Sequence, residues 1–416
     1  MPTLIDKNES AIAQGIKTIG VGKKGSKPLS KELAAEILND LKSGNVPQAA
    51  QGAFFGALML KGVTDDEKVL GQFFPTKSFD SPATIINHLS PESPEKIKTL
   101  CAALLRGQEL TKSEAIELGN FLFSDQPGDA LRGLTASVLR VRYETADEYE
   151  GLLLSLKNFI EPQFKKPPPA GDPIVQIAEP FDGVDHSNMI TPLLADYLQN
   201  LNYRVVSIGG RNSGPKFFLN LCDIANALKI SQITKNTDFL NTKPRFGFFL
   251  DQKNLSKSLD RWVDIRHQTI KRPFLSTIER FVNPFDADVL IASAFHPPYG
   301  EKMLTIAERM GFKKIIVVRN GIEGTIAFPL KRSTKLLMSD ININQTYTRH
   351  EIEFNAEDYF KIHFEVEEKL ERPSLQTNTQ LINEYYQKQK TGNNLFDFRV
   401  KATCIGIKQA INLMNN

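Results

Sequence analysis

Apolar residues in the first third of the chain recur at spacings of three and four. Leu33, Ile37, Leu38 and Leu41 fall on one stripe of a helix, the pattern of an element that buries a single face. Ser30 is placed to cap its start and Gly44 to stop it. A serine hydroxyl accepts from a first-turn N–H, and glycine tolerates the left-handed turn beyond a helix. Residues 49–60 read as a second helix whose Gly and Ala positions permit close packing. Beyond residue 173 the pattern changes. Short apolar runs at 173–177, 203–208, 289–292 and 314–318 alternate with helical periods such as 190–201 and 300–310. This alternation predicts a mostly parallel sheet covered by helices, with ligands beyond the carboxyl ends of the strands.

Between the two patterns lies Lys165-Lys166-Pro167-Pro168-Pro169-Ala170-Gly171-Asp172-Pro173. Consecutive prolines cannot continue a helix and favour a stiff, extended connection. The expected organisation is a helical domain over 1–164, a linker over 165–173 and an α/β domain over 174–416. The helical domain also repeats. Segment 29–67 aligns with segment 110–148 without a gap, and 13 of the 39 positions are identical. Among them are Leu29/Leu110, Ala34/Ala115, Leu41/Leu122, Ser43/Ser124, Ala49/Ala130, Gly52/Gly133 and Leu58/Leu139. Agreement at caps, small residues and apolar positions together predicts a duplicated helical unit.

Composition narrows the class. The chain has 416 residues, 41% hydrophobic and 24% charged, as in folded globular proteins. No run approaches the roughly 18 apolar residues of a membrane span, and the N-terminus lacks a secretory pattern, so a cytoplasmic location is the expectation. Cys101, Cys222 and Cys404 are distant from one another, which argues against a disulfide framework or a structural zinc site. The net charge of +3 is a cancellation. Residues 17–31 carry five lysines and no acid, residues 204–280 carry 14 Lys/Arg against six Asp/Glu, and residues 351–371 carry eight acids against two lysines. Basic and acidic blocks of this kind point to charged partners.

Several segments could carry chemistry. Gly20-Val21-Gly22-Lys23-Lys24-Gly25 fits Gly-x-Gly-x-x-Gly, but no βαβ unit surrounds it, so a basic loop is the better description. After the first strand comes Glu179-Pro180-Phe181-Asp182-Gly183-Val184-Asp185-His186-Ser187-Asn188. Ser187 or Asn188 can cap a helix beginning near Met189, and helix starts attract phosphate. The loop Gly209-Gly210-Arg211-Asn212-Ser213-Gly214-Pro215-Lys216 joins flexible glycines to two cations, as phosphate loops do. Residues 257–280 interleave Arg261, Arg266, Lys271, Arg272 and Arg280 with Trp262, His267 and Phe274, a mixture that suits phosphate attraction and base stacking. His296-Pro297 follows a strand and reads as a turn or a catalytic imidazole. No Ser-His-Asp order or His-Glu-x-x-His supports a hydrolase.

These loops resemble those of anthranilate phosphoribosyltransferase, of the nucleoside phosphorylase/phosphoribosyltransferase fold, over nearly the whole chain and with one helical unit added. The family's Gly-Thr-Gly-Gly-Asp-Gly, then Asn-Ile-Ser-Thr, falls on 178–183 and 188–191, where Asp182, Gly183, Asn188 and Thr191 match. Its Lys-His-Gly-Asn-Arg falls on 207–211, matching Gly209 and Arg211, and Lys216 lands on a later lysine. The family's Asn-Pro and His-Pro fall on Asn283-Pro284 and His296-Pro297. Its metal-binding Asp-Glu falls near Glu323-Gly324-Thr325-Ile326-Ala327, with apolar residues at both carboxylate positions. The resemblance implies diphosphate contacts at Asp182, Gly183, Asn188, Thr191, Gly209, Arg211 and Lys216. Pro180, Phe181 and Glu179 depart from an N–H-rich phosphate cradle, and the lost acids remove hard oxygen ligands for magnesium.

Glu-Pro-Phe-Asp-Gly in the loop, with Gly-x-Gly-Lys-Lys-Gly before Leu29-Ser30, is similar to a branch of the family that the resemblance implies binds nucleic acid as a homodimer along a basic groove. Lys23, Lys24, Lys27, Arg266, Lys271 and Arg272 are then the expected phosphate-backbone contacts, with Arg211 and Lys216. Binding would be to single-stranded or structured nucleic acid, without strong sequence preference and without a cofactor or metal. The alternative is a transferase moving phosphoribosyl from phosphoribosyl diphosphate to an aromatic or amine acceptor with magnesium. A third reading is a sensor that keeps a phosphate pocket without turnover.

Overall fold

The computed structural model describes residues 10–22, 25–79, 81–214 and 218–415. Lys23, Lys24 and Lys216 lie outside the described residues. In chain order, α1 is Ala11–Ile19, α2 Lys31–Lys42, α3 Gln48–Lys61, α4 Pro82–Leu89, α5 Glu95–Leu105, α6 Lys112–Phe123, α7 Asp129–Arg142 and α8 Ala146–Leu156. The chain continues through β1 Ile174–Ala178, α9 Thr191–Gln199, β2 Arg204–Gly209, α10 Leu221–Ala227, β3 Ser231–Gln232, β4 Phe248–Asp251, α11 Gln252–Leu255, α12 Lys257–Thr269 and α13 Leu275–Phe281. It ends with β5 Val289–Ala294, α14 Pro297–Arg309, β6 Lys314–Arg319, β7 Thr334–Ile341, β8 Tyr347–Phe354, α15 Ala356–Phe360, α16 Leu375–Lys388 and α17 Asn394–Leu413. No described helix is long and apolar enough to cross a membrane.

The chain forms two compact units. One comprises Met1–Phe159, Ser213–Pro215 and Ser258–Ile278, the other Ile160–Asn212, Lys216–Lys257 and Glu279–Asn416. In the first, helix starts follow the sequence signals. Ser30 accepts from the Leu33 N–H at 3.2 Å to open α2. Thr111, its counterpart in the second copy of the repeat, opens α6 with a reciprocal bond to Glu114. Each copy then buries one glutamate. Glu67 accepts from the Leu29 and Thr64 N–H groups and from Lys61. Glu148 accepts from the Leu110 and Thr145 N–H groups and from Arg142. Every partner in one copy is the repeat equivalent of a partner in the other, in the register that aligns Leu29 with Leu110. Burial pushes the Glu67 carboxyl up, but the Leu29 and Thr64 N–H bonds and the Lys61 ammonium outweigh it and hold it below its ordinary value.

The copies meet through α3 and α7. A Cβ on Gly52 would lie 1.7 Å from the Ala130 carbonyl oxygen, and one on Gly133 would lie 1.9 Å from that of Ala49. Gly56 faces Leu134 and Val138. The contacts advance in the same direction on both helices, so α3 and α7 form a parallel pair about an internal two-fold. Only glycine permits this approach.

The second unit contains an eight-stranded sheet in the order β3-β4-β2-β1-β5-β6-β7-β8. It is parallel from β3 to β6, and β7 and β8 return antiparallel. The fold class expected from the sequence, a helical N-terminal part and a mostly parallel α/β part, is the observed one. Strand β1 is buried throughout, as a central strand covered on both faces must be. It pairs with β2 on one side and β5 on the other, so the strand order reverses at its carboxyl end. Open α/β sheets bind ligands at such a point.

Candidate functional site

The loop that leaves β1 carries most of the residues matched to the diphosphate motif. Its first residue, Glu179, is 2% exposed. The Thr191 hydroxyl donates to it at 2.8 Å, and the Ile326 N–H at 3.2 Å. Burial lifts this carboxyl from 4.5 to about 7, against those two bonds and the Arg280 charge, which pull it down. Phe181 is also buried, against Gly210. The Asn220 amide donates to the carbonyls of both Phe181 and Gly210 at 3.0 Å, tying the loops after β1 and β2 together.

Gly183 has φ +74°, and a Cβ there would lie 2.3 Å from the Leu219 carbonyl oxygen. Glycine is required here because Val184 pairs with Leu219, N–H to O 2.9 Å, which brings that carbonyl against the position. Helix α9 begins at Thr191, with Ile190 in the cap position, so neither Ser187 nor Asn188 caps it. Instead the N–H groups of Asp185 and His186 and the Ser187 hydroxyl all donate to Glu323, at 2.7, 2.8 and 2.7 Å. Glu323 reaches them from a left-handed backbone position, φ +52°. Asn188 is held by Glu368 through its N–H at 3.2 Å and its side-chain amide at 3.1 Å. Fully buried Arg399 binds Glu367 and Glu368 in turn.

The structure therefore gathers Asp182, Gly183 and Asn188 in the loop after β1 and Thr191 at the start of α9, and carboxylates of the chain accept from the Asn188 N–H and side-chain amide and from the Thr191 hydroxyl. Asp182 is buried. Gly209 ends β2 against Phe249, and Arg211 is exposed just beyond it. Phe295 and His296 are exposed at the end of β5. The sequence had no signal for Glu323 or Glu368 as anchors of this loop, since both act across more than a hundred residues. A magnesium diphosphate does not fit this arrangement. Ile326 and Ala327, where the sequence resemblance would place metal-binding carboxylates, are buried and apolar. Glu323 and Glu179 are committed to protein donors, and no group of three His, Cys, Asp or Glu among the described residues could hold a metal.

Of the basic residues expected to meet phosphate, the first unit holds Lys27, Arg266, Lys271 and Arg272. Arg266 is 2% exposed and donates to the Gly214 carbonyl at 3.2 Å, which corrects its assignment to an accessible surface. Trp262 is buried, its indole N–H donating to Leu122 at 3.0 Å, and Phe274 is buried beside it. Neither ring can stack on a base. Lys27 is exposed, while Lys271 and Arg272 are half-buried. Burial lowers the Lys271 ammonium, and the neighbouring charges of Arg140 and Lys17 lower it further. Arg140 is fixed by bonds to the Gly20 carbonyl at 3.2 Å and the Arg272 carbonyl at 2.8 Å.

No family model matches the chain. An uncharacterized protein of Aquifex aeolicus (strain VF5) is 22% identical over 219 residues, 53% of this chain and 65% of that protein. The match thus spans less than two thirds of that relative's length. Among solved structures, anthranilate phosphoribosyltransferase from Thermus thermophilus matches with TM-score 0.53 and 16% identity, over 77% of this chain and 94% of that one. The enzyme from Saccharomyces cerevisiae in complex with PRPP (phosphoribosyl diphosphate) and Mg matches with TM-score 0.59 and 12% identity, over 77% and 90%. At these identities the likeness is one of fold. The chain has a phosphoribosyltransferase-like fold.

Proposed function

We propose that this chain uses a phosphoribosyltransferase-like fold without transferase chemistry, and binds the phosphate backbone of nucleic acid through the basic face of its helical unit. The observation that carries this reading is the cluster of Lys17, Arg140 and Lys271. Burial and two neighbouring cations lower the Lys271 ammonium. A concentration of positive charge of this kind favours a polyanion as partner. Lys27 adds an exposed cation near the end of α1. Buried Trp262 and Phe274 favour backbone contact over base stacking, hence weak sequence preference. Assembly of two copies, which would extend the basic face, belongs to the same reading.

The filled loop after β1 supports the absence of turnover. Diphosphate needs N–H donors and a metal, and here Glu179, Glu323 and Glu368 occupy the donors. Fluorescence anisotropy with a mixed-sequence single strand tests the proposal. Binding at about 50 mM salt that weakens steeply with added salt is the expected result. No binding there, or magnesium-dependent release of diphosphate from phosphoribosyl diphosphate, would overturn it. Sedimentation velocity on the same sample tests the dimer.

A further inference from the structure

The internal two-fold of the helical unit passes through a cavity of about 330 Å³, lined by Ser26, Leu60, Lys61, Gly107, Val141 and Arg142. These six residues are three repeat-related pairs, Ser26 with Gly107, Leu60 with Val141 and Lys61 with Arg142, all in the register that aligns Leu29 with Leu110. The cavity thus lies between the C-terminal ends of α3 and α7, with one cation from each copy in its wall and, among the described residues, no carboxylate. We infer that it is a binding site for a small phosphate-bearing anion, separate from the surface proposed to meet nucleic acid.

Both cations are anchored and both keep donors in reserve. The Lys61 ammonium gives one proton to Glu67 at 2.7 Å and one to the Gly62 carbonyl at 2.7 Å. Its third has no acceptor among the described residues. Arg142 binds Glu148 through Nη2 and reaches the Tyr143 carbonyl with Nη1 at a long 3.4 Å. Its Nε is buried without a partner. The side chains of Lys61 and Arg142 are only 8% and 6% exposed, and a buried donor left unsatisfied is destabilising. Glu67 and Glu148 are themselves saturated, each by two backbone N–H groups besides its cation. An anion between the two cations would take up the spare donors without displacing either glutamate. At Gly107 a Cβ would meet nothing within 4 Å, so the wall is open at that point. The space exceeds a bare phosphate and is far too small for a nucleic-acid strand, which selects a phosphate or a small phosphomonoester.

The test is thermal unfolding and calorimetry of the full chain with inorganic phosphate, diphosphate or ribose 5-phosphate, against chloride at equal ionic strength. At least one probe should raise the midpoint at ~10 mM. Gly107→Asn places a side chain at the wall while tolerating the left-handed backbone, and Arg142→Lys keeps the Glu148 pair but replaces the spare Nε and Nη1 donors of the guanidinium with one ammonium proton. Each should weaken binding about tenfold or more, the equivalent of one or two charge-assisted hydrogen bonds. Lys17→Ala with Lys271→Ala should leave it unchanged. The inference falls if no probe exceeds chloride, if Gly107→Asn and Arg142→Lys bind as the parent does, or if only the Lys17/Lys271 variant loses binding.

Discussion

Gly52 and Gly133 stand in equivalent places on α3 and α7, and each lies against a backbone carbonyl of the opposite helix, Ala130 and Ala49 respectively. The closeness is between main chains, so no side-chain rearrangement can make room for an added methyl. Gly52→Ala or Gly133→Ala should force the helices apart and lower stability by at least about 2 kcal/mol in urea unfolding, the range of overpacking with backbone movement. Gly392→Ala, with open space around its Cβ, should change stability by no more than about 0.5 kcal/mol. Equal effects at Gly52 and Gly392 would show that α3 and α7 do not pack through their glycines.

The two-fold crossing also shows what could be read beforehand. Identities in one register, at Ala49/Ala130 and Gly52/Gly133, predict a duplicated unit, because small residues at matched places are a packing signal. Strands β1, β2, β5 and β6 were equally visible, since each is a buried apolar run. Strand β8 was not. It lies at the sheet edge, and Arg349, Glu351 and Glu353 are exposed along it, so its residues read as part of an acidic surface. The loop after β1 was legible as different from a phosphate cradle through Pro180 and Phe181. That Glu323 and Glu368 fill it could not be seen, because the donors and acceptors come from distant parts of the chain and register in sequence only as scattered acids.

Glu179 gives a pH dependence with a definite sign. Its carboxyl is raised by burial to about 7 in the folded chain, from 4.5. Between those values the folded state holds a proton that the unfolded state has lost, so stability falls as pH rises through this window. The shift corresponds to roughly 3 kcal/mol at about 1.4 kcal/mol per pH unit. Glu179→Gln cannot titrate. The stability of the parent relative to this variant should therefore decline by about that amount from pH 4.5 to pH 7. A constant difference across the window would mean that Glu179 is not held protonated.

Lys17 and Lys271 can be tested by salt. If both meet phosphates, Lys17→Ala with Lys271→Ala should weaken oligonucleotide binding almost uniformly across sequences. It should also flatten the plot of log affinity against log salt by about two units, close to one per lost phosphate contact. Arg140 is a poor choice for the same test, because its guanidinium also ties the Gly20 and Arg272 carbonyls together. An unchanged salt slope in the double variant would place the nucleic acid elsewhere on the chain.

Glu323 acts as a built-in anion for the loop after β1. Its carboxylate receives two consecutive backbone N–H groups and a hydroxyl, an arrangement that also suits a phosphate oxygen. Glu323→Gln keeps the size but removes the charge and turns one acceptor into a donor facing N–H groups. The loop then loses about 1 kcal/mol, the usual net contribution of hydrogen bonds that are partly buried or exposed. Glu323→Ala should lose a similar amount while opening the place the carboxylate held. Added phosphate or sulfate should restore part of the stability of Glu323→Ala, and of Glu323→Gln much less, because only the first leaves room for the ion. Transferase activity should not appear in either, since Ile326 and Ala327 still offer no metal ligand. If Glu323→Ala is as stable as the parent, the carboxylate is not what holds Asp185, His186 and Ser187 in place, and the loop owes its shape to Asn188 and Glu368 instead.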